Sequence, residues 1–285
     1  MKVLSNHHFL EYMNPLATFI AVSLGFFYNK KIRKARGEKP ESYQQVAFYI
    51  SLTLIVLLYL GPFHIIAKHY LFSAHMLQLA ITFFIIIPLL IISFPNHLYK
   101  GISWNYRFRL TMQMAGHPWL TLIAFNLLFT LYFVPSVFNT LHEYWLLNFL
   151  FQLILLIYAF FMWWAILGPT KQINYLKPLS RIAFIFLASM ALMPIGFYHL
   201  LVLSARYNPY IETEAMFLPI LTNIYDQQLA GGILKLIQLS SFIFVMYKIV
   251  KAWARQMQEK EGDPLDKNLR VVQGIIIRTN ERSNK

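Results

Sequence analysis

Apolar residues run in seven long stretches along this chain: Pro15–Tyr28, Val46–Phe63, Leu71–Phe94, Trp119–Phe138, Tyr144–Leu167, Ile182–Leu203 and Leu229–Val250. None shows the strict period-2 alternation of a membrane barrel strand, and each is too long for one. The stretches therefore predict helices, which satisfy their own backbone hydrogen bonds inside hydrocarbon. Crossing the bilayer takes about 20 apolar residues, and the first stretch reaches that length only if Phe9 to Met13 extend it. The expected fold is all-α: a polytopic integral membrane protein, a bundle of seven transmembrane helices over residues 1–250, followed by a basic tail over residues 251–285.

Composition sharpens this picture. The chain is 58% hydrophobic and only 13% charged, and its charges are confined to the connections, whereas a soluble domain spreads them along every helix. Lys30, Lys31, Arg33, Lys34, Arg36 and Lys39 fill the first connection; Lys100, Arg107 and Arg109 the third; Lys171, Lys177 and Arg181 the fifth; nine more lie between Lys248 and Lys285. These 21 of the 25 Lys and Arg residues fall on one side of a seven-span topology, against Lys2, Lys68 and Arg206 on the other, with Lys235 inside the seventh stretch. The positive-inside rule then places the N-terminus outside and the C-terminus in the cytoplasm. An even number of spans would break the pattern.

The net charge of +13 is accordingly topology plus attraction to anionic membrane lipids, and no nucleic-acid partner is expected. Cysteine is absent, so disulfides and thiolate metal ligands are excluded. The start of the chain lacks the pattern of a removable signal peptide. In the tail, Gly262, Asp263 and Pro264 mark a turn before the apolar run Val271–Ile277, which reads as a solvated end or as a regulatory or lipid-surface segment.

The polar residues gather on the side poor in Lys and Arg. In this topology His7, His8, His64, His69, His75, His142 and His199 fall there with Glu11, Glu143, Glu212, Glu214 and Asp226, while His97 and His117 lie inward. Imidazole and thioether without thiolate suit copper. Each histidine also has a plain structural reading, as a hydrogen-bonding group at the interface. His75 and Gln78 are three apart and share a helical face, with Met76 turned away by about 100°. His142, in the loop before the fifth helix, and His199, late in the sixth, are placed at a similar depth.

Asp226, Gln227 and Gln228 open the seventh helix, where Asp226 is placed to cap it, and Gly231 and Gly232 permit close helix packing. Lys235 lies two turns further in. A cation at that depth is costly and marks function by default; its structural reading is a pair with a carboxylate or with carbonyls freed by Pro135 or Pro194. The chain has no phosphate-binding glycine loop, zinc-protease motif or nucleophile elbow, and no paired intramembrane carboxylates. Nothing points to an enzyme.

The string Phe72-Ser73-Ala74-His75-Met76-Leu77-Gln78 with Pro88-Leu89-Leu90, then His117-Pro118, Pro135, Trp163-Trp164 and Asp226-Gln227-Gln228-Leu229-Ala230-Gly231-Gly232, resembles the multi-span CtaG family of cytochrome c oxidase assembly factors over roughly residues 10–255. The resemblance implies a bacterial cell-membrane protein that helps mature a haem–copper oxidase. It would contact the oxidase subunits, especially subunit I, and assist copper insertion there from the outer face. Copper would be bound transiently, with His75, Met76, His142 and His199 as candidate ligands and Gln78, Asp226, Gln227, Gln228 and Lys235 as functional polar groups. Many members carry histidines where this chain has Leu79, Phe133 and Asn148 or Gln152, so its metal site is thinner than the family's. The alternative reading is a membrane transporter of copper or another small solute, using Lys235 and the Pro-interrupted third, fourth and sixth helices.

Overall fold

The structure is a computed structural model, and it describes residues 15–32, 40–95, 98–99, 106–169, 176–211, 221–262, 269–272 and 275–278. His7, His8, Glu11, His97, Glu212 and Glu214 lie outside the described residues, as does much of the basic first connection.

Each apolar stretch forms helix. They are α1 (Pro15–Phe27), continued by a π-helical segment Tyr28–Ile32; α2 (Ser42–Tyr59); α3 (Pro62–Ile65) with π-helical Ile66–Tyr70; α4 (Phe72–Ile81), π-helical Thr82–Ile86 and α5 (Ile87–Ser93), one unbroken rod; and α6 (Tyr106–Ala115). After these come α7 (Pro118–Tyr132), α8 (Pro135–Glu143), α9 (Trp145–Leu167), α10 (Pro178–Ala191), α11 (Met193–Leu200), α12 (Asn208–Ile211) and α13 (Asn223–Gly262). Proline opens α3, α7, α8, α10 and α11 at the first turn, where its missing N–H costs nothing. Gly168 ends α9 in the left-handed conformation at φ 54°, with the Arg181 guanidinium packed over its bare Cα and donating to Leu167 O at 3.2 Å.

Among the described residues five helices are long and apolar enough to cross a membrane: Ser42–Tyr59, Phe72–Ser93, Trp145–Leu167, Pro178–Leu200 and the α13 rod. The fourth stretch departs from a single span. Its helices α7 and α8 meet at 76° at the break before Pro135, so they form a sixth crossing only as a bent pair. Pro135 lacks the N–H that would continue the ladder from α7. The first stretch supplies a 13-residue α-helix, shorter than a crossing requires. Thus each of the seven stretches is helical, and among the described residues five or six of them are of spanning length.

Two features of the tail depart from a purely helical reading. α13 continues without a break past residue 250 to Gly262, 40 residues in all and roughly 60 Å at 1.5 Å per residue, twice the hydrocarbon thickness of about 30 Å. Beyond it β1 (Leu269–Val272) and β2 (Ile275–Arg278) pair as an antiparallel hairpin, with Leu269 opposite Arg278 and Val272 opposite Ile275. The period-2 signal of that short run was hidden by its nearly continuous apolarity.

The rod α4–α5 is the axis of the bundle: 67% of its spanning window is buried, against 33–39% in the other four. Its neighbours satisfy the backbone groups it cannot satisfy itself. Pro88 has no N–H for the carbonyl four residues back, and that carbonyl, Phe84 O, accepts instead from Ser241 Oγ of α13. In the same π-helical turn Trp163 Nε1 of α9 donates to Phe83 O at 2.7 Å. At the C-terminal end, where the last carbonyls have no helical partner, Tyr28 OH donates to Ser93 O at 3.4 Å and Tyr99 OH to Ile91 O at 2.6 Å. The family-like landmarks Pro88 and Trp163 are therefore two halves of one structural device.

Candidate functional site

The two polar motifs, far apart in sequence, meet at the N-terminal end of α4. Asp226 does not cap its own helix as its position led one to expect. Its carboxylate accepts from the backbone N–H of Phe72 at 2.7 Å and of Ser73 at 3.1 Å, so it caps the first turn of α4 across the bundle. An anion there meets unpaired N–H groups and the positive end of the helix dipole, which explains how a carboxylate only 2% exposed is accommodated.

Gln227 and Gln228 take different roles. Gln228 Nε2 donates to Val202 O at 3.1 Å, holding the end of the sixth stretch. Gln227 is buried and its Oε1 has no hydrogen-bond partner. Gly231, one turn on, is required for the contact with α11: a Cβ there would stand 2.8 Å from His199 Cβ and 2.9 Å from Leu200 N.

His75 and Gln78 share a face of α4, as their spacing predicts, yet they reach different partners. His75 Nε2 lies 3.1 Å from the hydroxyl of Tyr132 on α7. Tyr132 in turn donates to Asn148 Oδ1 at 3.4 Å and accepts from Gln152 Nε2 at 3.1 Å. Through Tyr132, Asn148 and Gln152 of α9 face His75. Gln78 Nε2 uses its two hydrogens on Leu58 O at 3.1 Å and His64 Nδ1 at 3.3 Å. His64 must therefore present a lone pair at Nδ1. Burial, then the charges of Lys68 and His69, hold its pKa down from 6.5 to about 4.

His199 is 1% exposed and fully engaged. Its Nδ1–H donates to Ile195 O at 2.7 Å, and Nε2 faces the Tyr207 hydroxyl at 2.9 Å. That hydroxyl also lies 2.6 Å from Phe133 O, so one hydrogen serves two acceptors. Burial pushes the Tyr207 phenol well above its usual range, keeping it neutral. His142 lies in α8 rather than in a loop, stacked on Phe138 with ring centroids 5.5 Å apart. Phe138 also lies edge-on to His75 at 5.6 Å, and Phe72 stacks on His199 at 5.4 Å. One aromatic cluster thus holds His75, His142 and His199 in a single neighbourhood.

The neighbourhood is not a preformed metal cage. Among the described residues no three His or acidic side chains are placed to share an ion. Met76 is fully buried in the main hydrophobic cluster. His75 and His199 each already hold a phenol, and a metal would have to displace one.

Lys235 has structural partners. Its Nζ donates to Leu192 O at 2.7 Å, at the break where Pro194 interrupts the sixth stretch, and to Gln238 Oε1 at 2.9 Å. Its stem lies across Gly196. The cation clasps the α10–α11 break, which lies in the sixth stretch, one of the Pro-interrupted helices named in the transport alternative.

Sequence reasoning missed Tyr132, Tyr207 and Tyr210. Tyr132 looks like any aromatic residue in an apolar helix, and Tyr210, whose hydroxyl donates to Ala67 O at 2.9 Å, like a loop residue. Only the partners each hydroxyl meets distinguish them.

A helical bundle with a buried axial rod and five helices long and apolar enough to cross a membrane among the described residues suits a membrane protein, and polar groups of two distant motifs collect at one end around a cross-bundle cap. The chain belongs to the cytochrome c oxidase caa3 assembly factor family, whose model matches residues 26–256. No curated protein and no solved structure matches it. The family makes it an assembly factor of cytochrome c oxidase, which implies interaction with the oxidase.

Proposed function

We propose that this assembly factor works at the outer face of a bacterial cell membrane, with its N-terminus outside, seven helical passes and the tail in the cytoplasm, and that it assists copper delivery to subunit I. Copper is cargo in this reading. The observation that carries it is the meeting of the two polar motifs at one end of the bundle, where Phe72, whose N–H the Asp226 carboxylate caps, belongs to the aromatic cluster that holds His75, His142 and His199. The same end is poor in Lys and Arg, which keeps repulsion of an incoming cation small.

A copper ion reaching His75 or His199 forms a metal–imidazole bond at the cost of that imidazole's hydrogen bond to Tyr132 or Tyr207. That exchange favours brief occupancy and onward transfer over storage, and it leaves room for ligands from the receiving subunit. The chain's own residues would then supply entry and orientation, with no covalent step.

The test is a deletion strain scored for oxidase activity, haem content and copper in subunit I. Loss of activity and of copper with haem synthesis intact is expected, with partial recovery on added copper. Normal oxidase without the protein would sink the reading. A His75→Leu and His142→Leu pair should reproduce the copper deficit while the protein still reaches the membrane.

A further inference from the structure

Helix α6 turns an apolar stripe away from the bundle. Tyr106, Leu110 and Met114 recur at every fourth residue and so share about 80° of the helix surface. They are 66%, 43% and 68% exposed. Met112 points about 160° away from the centre of that stripe and packs against Tyr99 and Trp164, whose rings meet edge to face at 5.0 Å. One face of α6 is thus fastened to the bundle and the other is turned outward. Arg107 and Arg109 border the stripe on either side, and the Arg109 guanidinium lies over the Tyr106 ring at 5.7 Å.

The position of α6 and the charge around it select what meets the stripe. α9 runs from Asn148, which meets Tyr132 at the polar end of the bundle, to Trp164, three residues before its end at Leu167. Its 23 residues carry no charge and make about 34 Å of helix, a match to a hydrocarbon layer about 30 Å thick. The last turn of α9, with α6 docked on it, therefore stands at one boundary of that layer. The cation–aromatic pairs of the described residues are Phe26–Lys30, Tyr106–Arg109, Phe244–Lys248 and Tyr247–Lys251, at 4.9 to 5.7 Å. All four lie on the connections and tail rich in Lys and Arg, and all four aromatic residues are exposed. An exposed ring beside a cation suits the zone between acyl chains and headgroups, where the apolar body stays in lipid and the charge reaches the phosphates. The pairs belong to three separate helices, α1, α6 and α13, as a leaflet around the bundle requires and a single docked partner does not.

We propose that α6 is an interfacial helix resting on a leaflet of anionic glycerophospholipid, with Tyr106, Leu110 and Met114 among the upper acyl chains and Arg107 and Arg109 at the phosphates. The other three pairs mark the same leaflet at α1 and α13. An amphipathic helix held in this way gains from buried apolar area and from attraction to anionic headgroups, and each basic residue near such a surface is worth about fivefold in affinity. This surface lies at the opposite end of α9 from the polar groups around Asp226, so the inference stands apart from the copper reading.

The chain has no cysteine, so Leu110→Cys and Met114→Cys each take one polarity-sensitive fluorophore, with Ala115→Cys, turned about 140° from the stripe, as the comparison. The full-length variants are reconstituted without oxidase into phosphatidylcholine vesicles, with and without phosphatidylglycerol, that contain lipid nitroxide-labelled high on the acyl chain. The Leu110→Cys and Met114→Cys probes should be quenched at least ~2-fold more than the Ala115→Cys probe, and phosphatidylglycerol should increase that quenching. Arg109→Gln, which removes one of the two flanking charges, should roughly halve the increase. Water-like emission without lipid quenching at both stripe positions overturns the interfacial helix, and is the result if a protein partner covers the stripe instead. Quenching that is equal in both kinds of vesicle and indifferent to Arg109→Gln overturns the anionic preference. A second measurement needs no variant: the unmodified protein in detergent should melt at a higher temperature with added phosphatidylglycerol than with the same amount of phosphatidylcholine, and equal melting rejects the anionic leaflet.

Discussion

Asp226 caps the helix that begins at Phe72 and Ser73, 153 residues away from Ser73 in sequence, with its two carboxylate oxygens at 2.7 and 3.1 Å from the two backbone N–H groups. The contact fastens α13 to the axial rod and places the Gln227–Gly232 turn against the sixth stretch. Hydrogen bonds to a buried charged group are worth about 1.5–3 kcal/mol each. Asp226→Ala should therefore lower the detergent melting temperature markedly and reduce membrane accumulation. Asp226→Asn, which keeps one acceptor, should lie between. Equal melting for all three proteins would refute the cap.

Tyr132 joins His75 to Asn148 and Gln152. Removing its hydroxyl leaves the buried His75 without its partner, at about 1–3 kcal/mol. The pairwise part is read from a cycle with Tyr132→Phe, His75→Leu and the double variant. A coupling energy of about 0.5–3 kcal/mol is expected for residues in one network. Additive losses would mean that the two side chains do not act on each other.

Pro88 and Ser241 should be coupled through a carbonyl that neither of them owns. Ser241→Ala removes the hydrogen donated to Phe84 O and should cost about 0.5–1.5 kcal/mol. In a Pro88→Ala background, residue 88 regains an N–H, and the same substitution should cost less. Identical costs in both backgrounds, measured by thermal unfolding, would dissolve the explanation given for the π-helical turn.

His64 predicts a pH dependence. Its folded-state pKa is lowered from 6.5 to about 4, so the stability tied to its neutral form is complete above pH 6.5. That stability declines as pH falls, because the unfolded chain binds the proton first, and it is exhausted near pH 4. Protonation also turns Nδ1 into a donor facing the Gln78 N–H. Melting temperatures between pH 7 and pH 4.5 should fall, and His64→Gln should flatten that slope; an unchanged slope would assign the dependence to another group.

Apolar length and the placement of Lys and Arg determined, from sequence alone, that this is a helical membrane protein, because hydrocarbon imposes both rules on every segment separately. The family landmarks were legible as well, since Phe72–Gln78, Trp163 and Asp226–Gly232 are contiguous or single residues in fixed order. Their meaning was not. Asp226 read as a cap for its own helix, His142 as a loop residue, and Lys235 as either a functional cation or the partner of a carboxylate or of carbonyls freed by Pro135 or Pro194. The tertiary structure gave Asp226 to Phe72 and Ser73, His142 to the Phe138 stack and Lys235 to Leu192 O. It also bent the fourth stretch by 76° at Pro135 and paired β1 with β2. A chain's local pattern states which groups need partners; which groups meet depends on how separate helices pack, and that is decided only when the bundle closes.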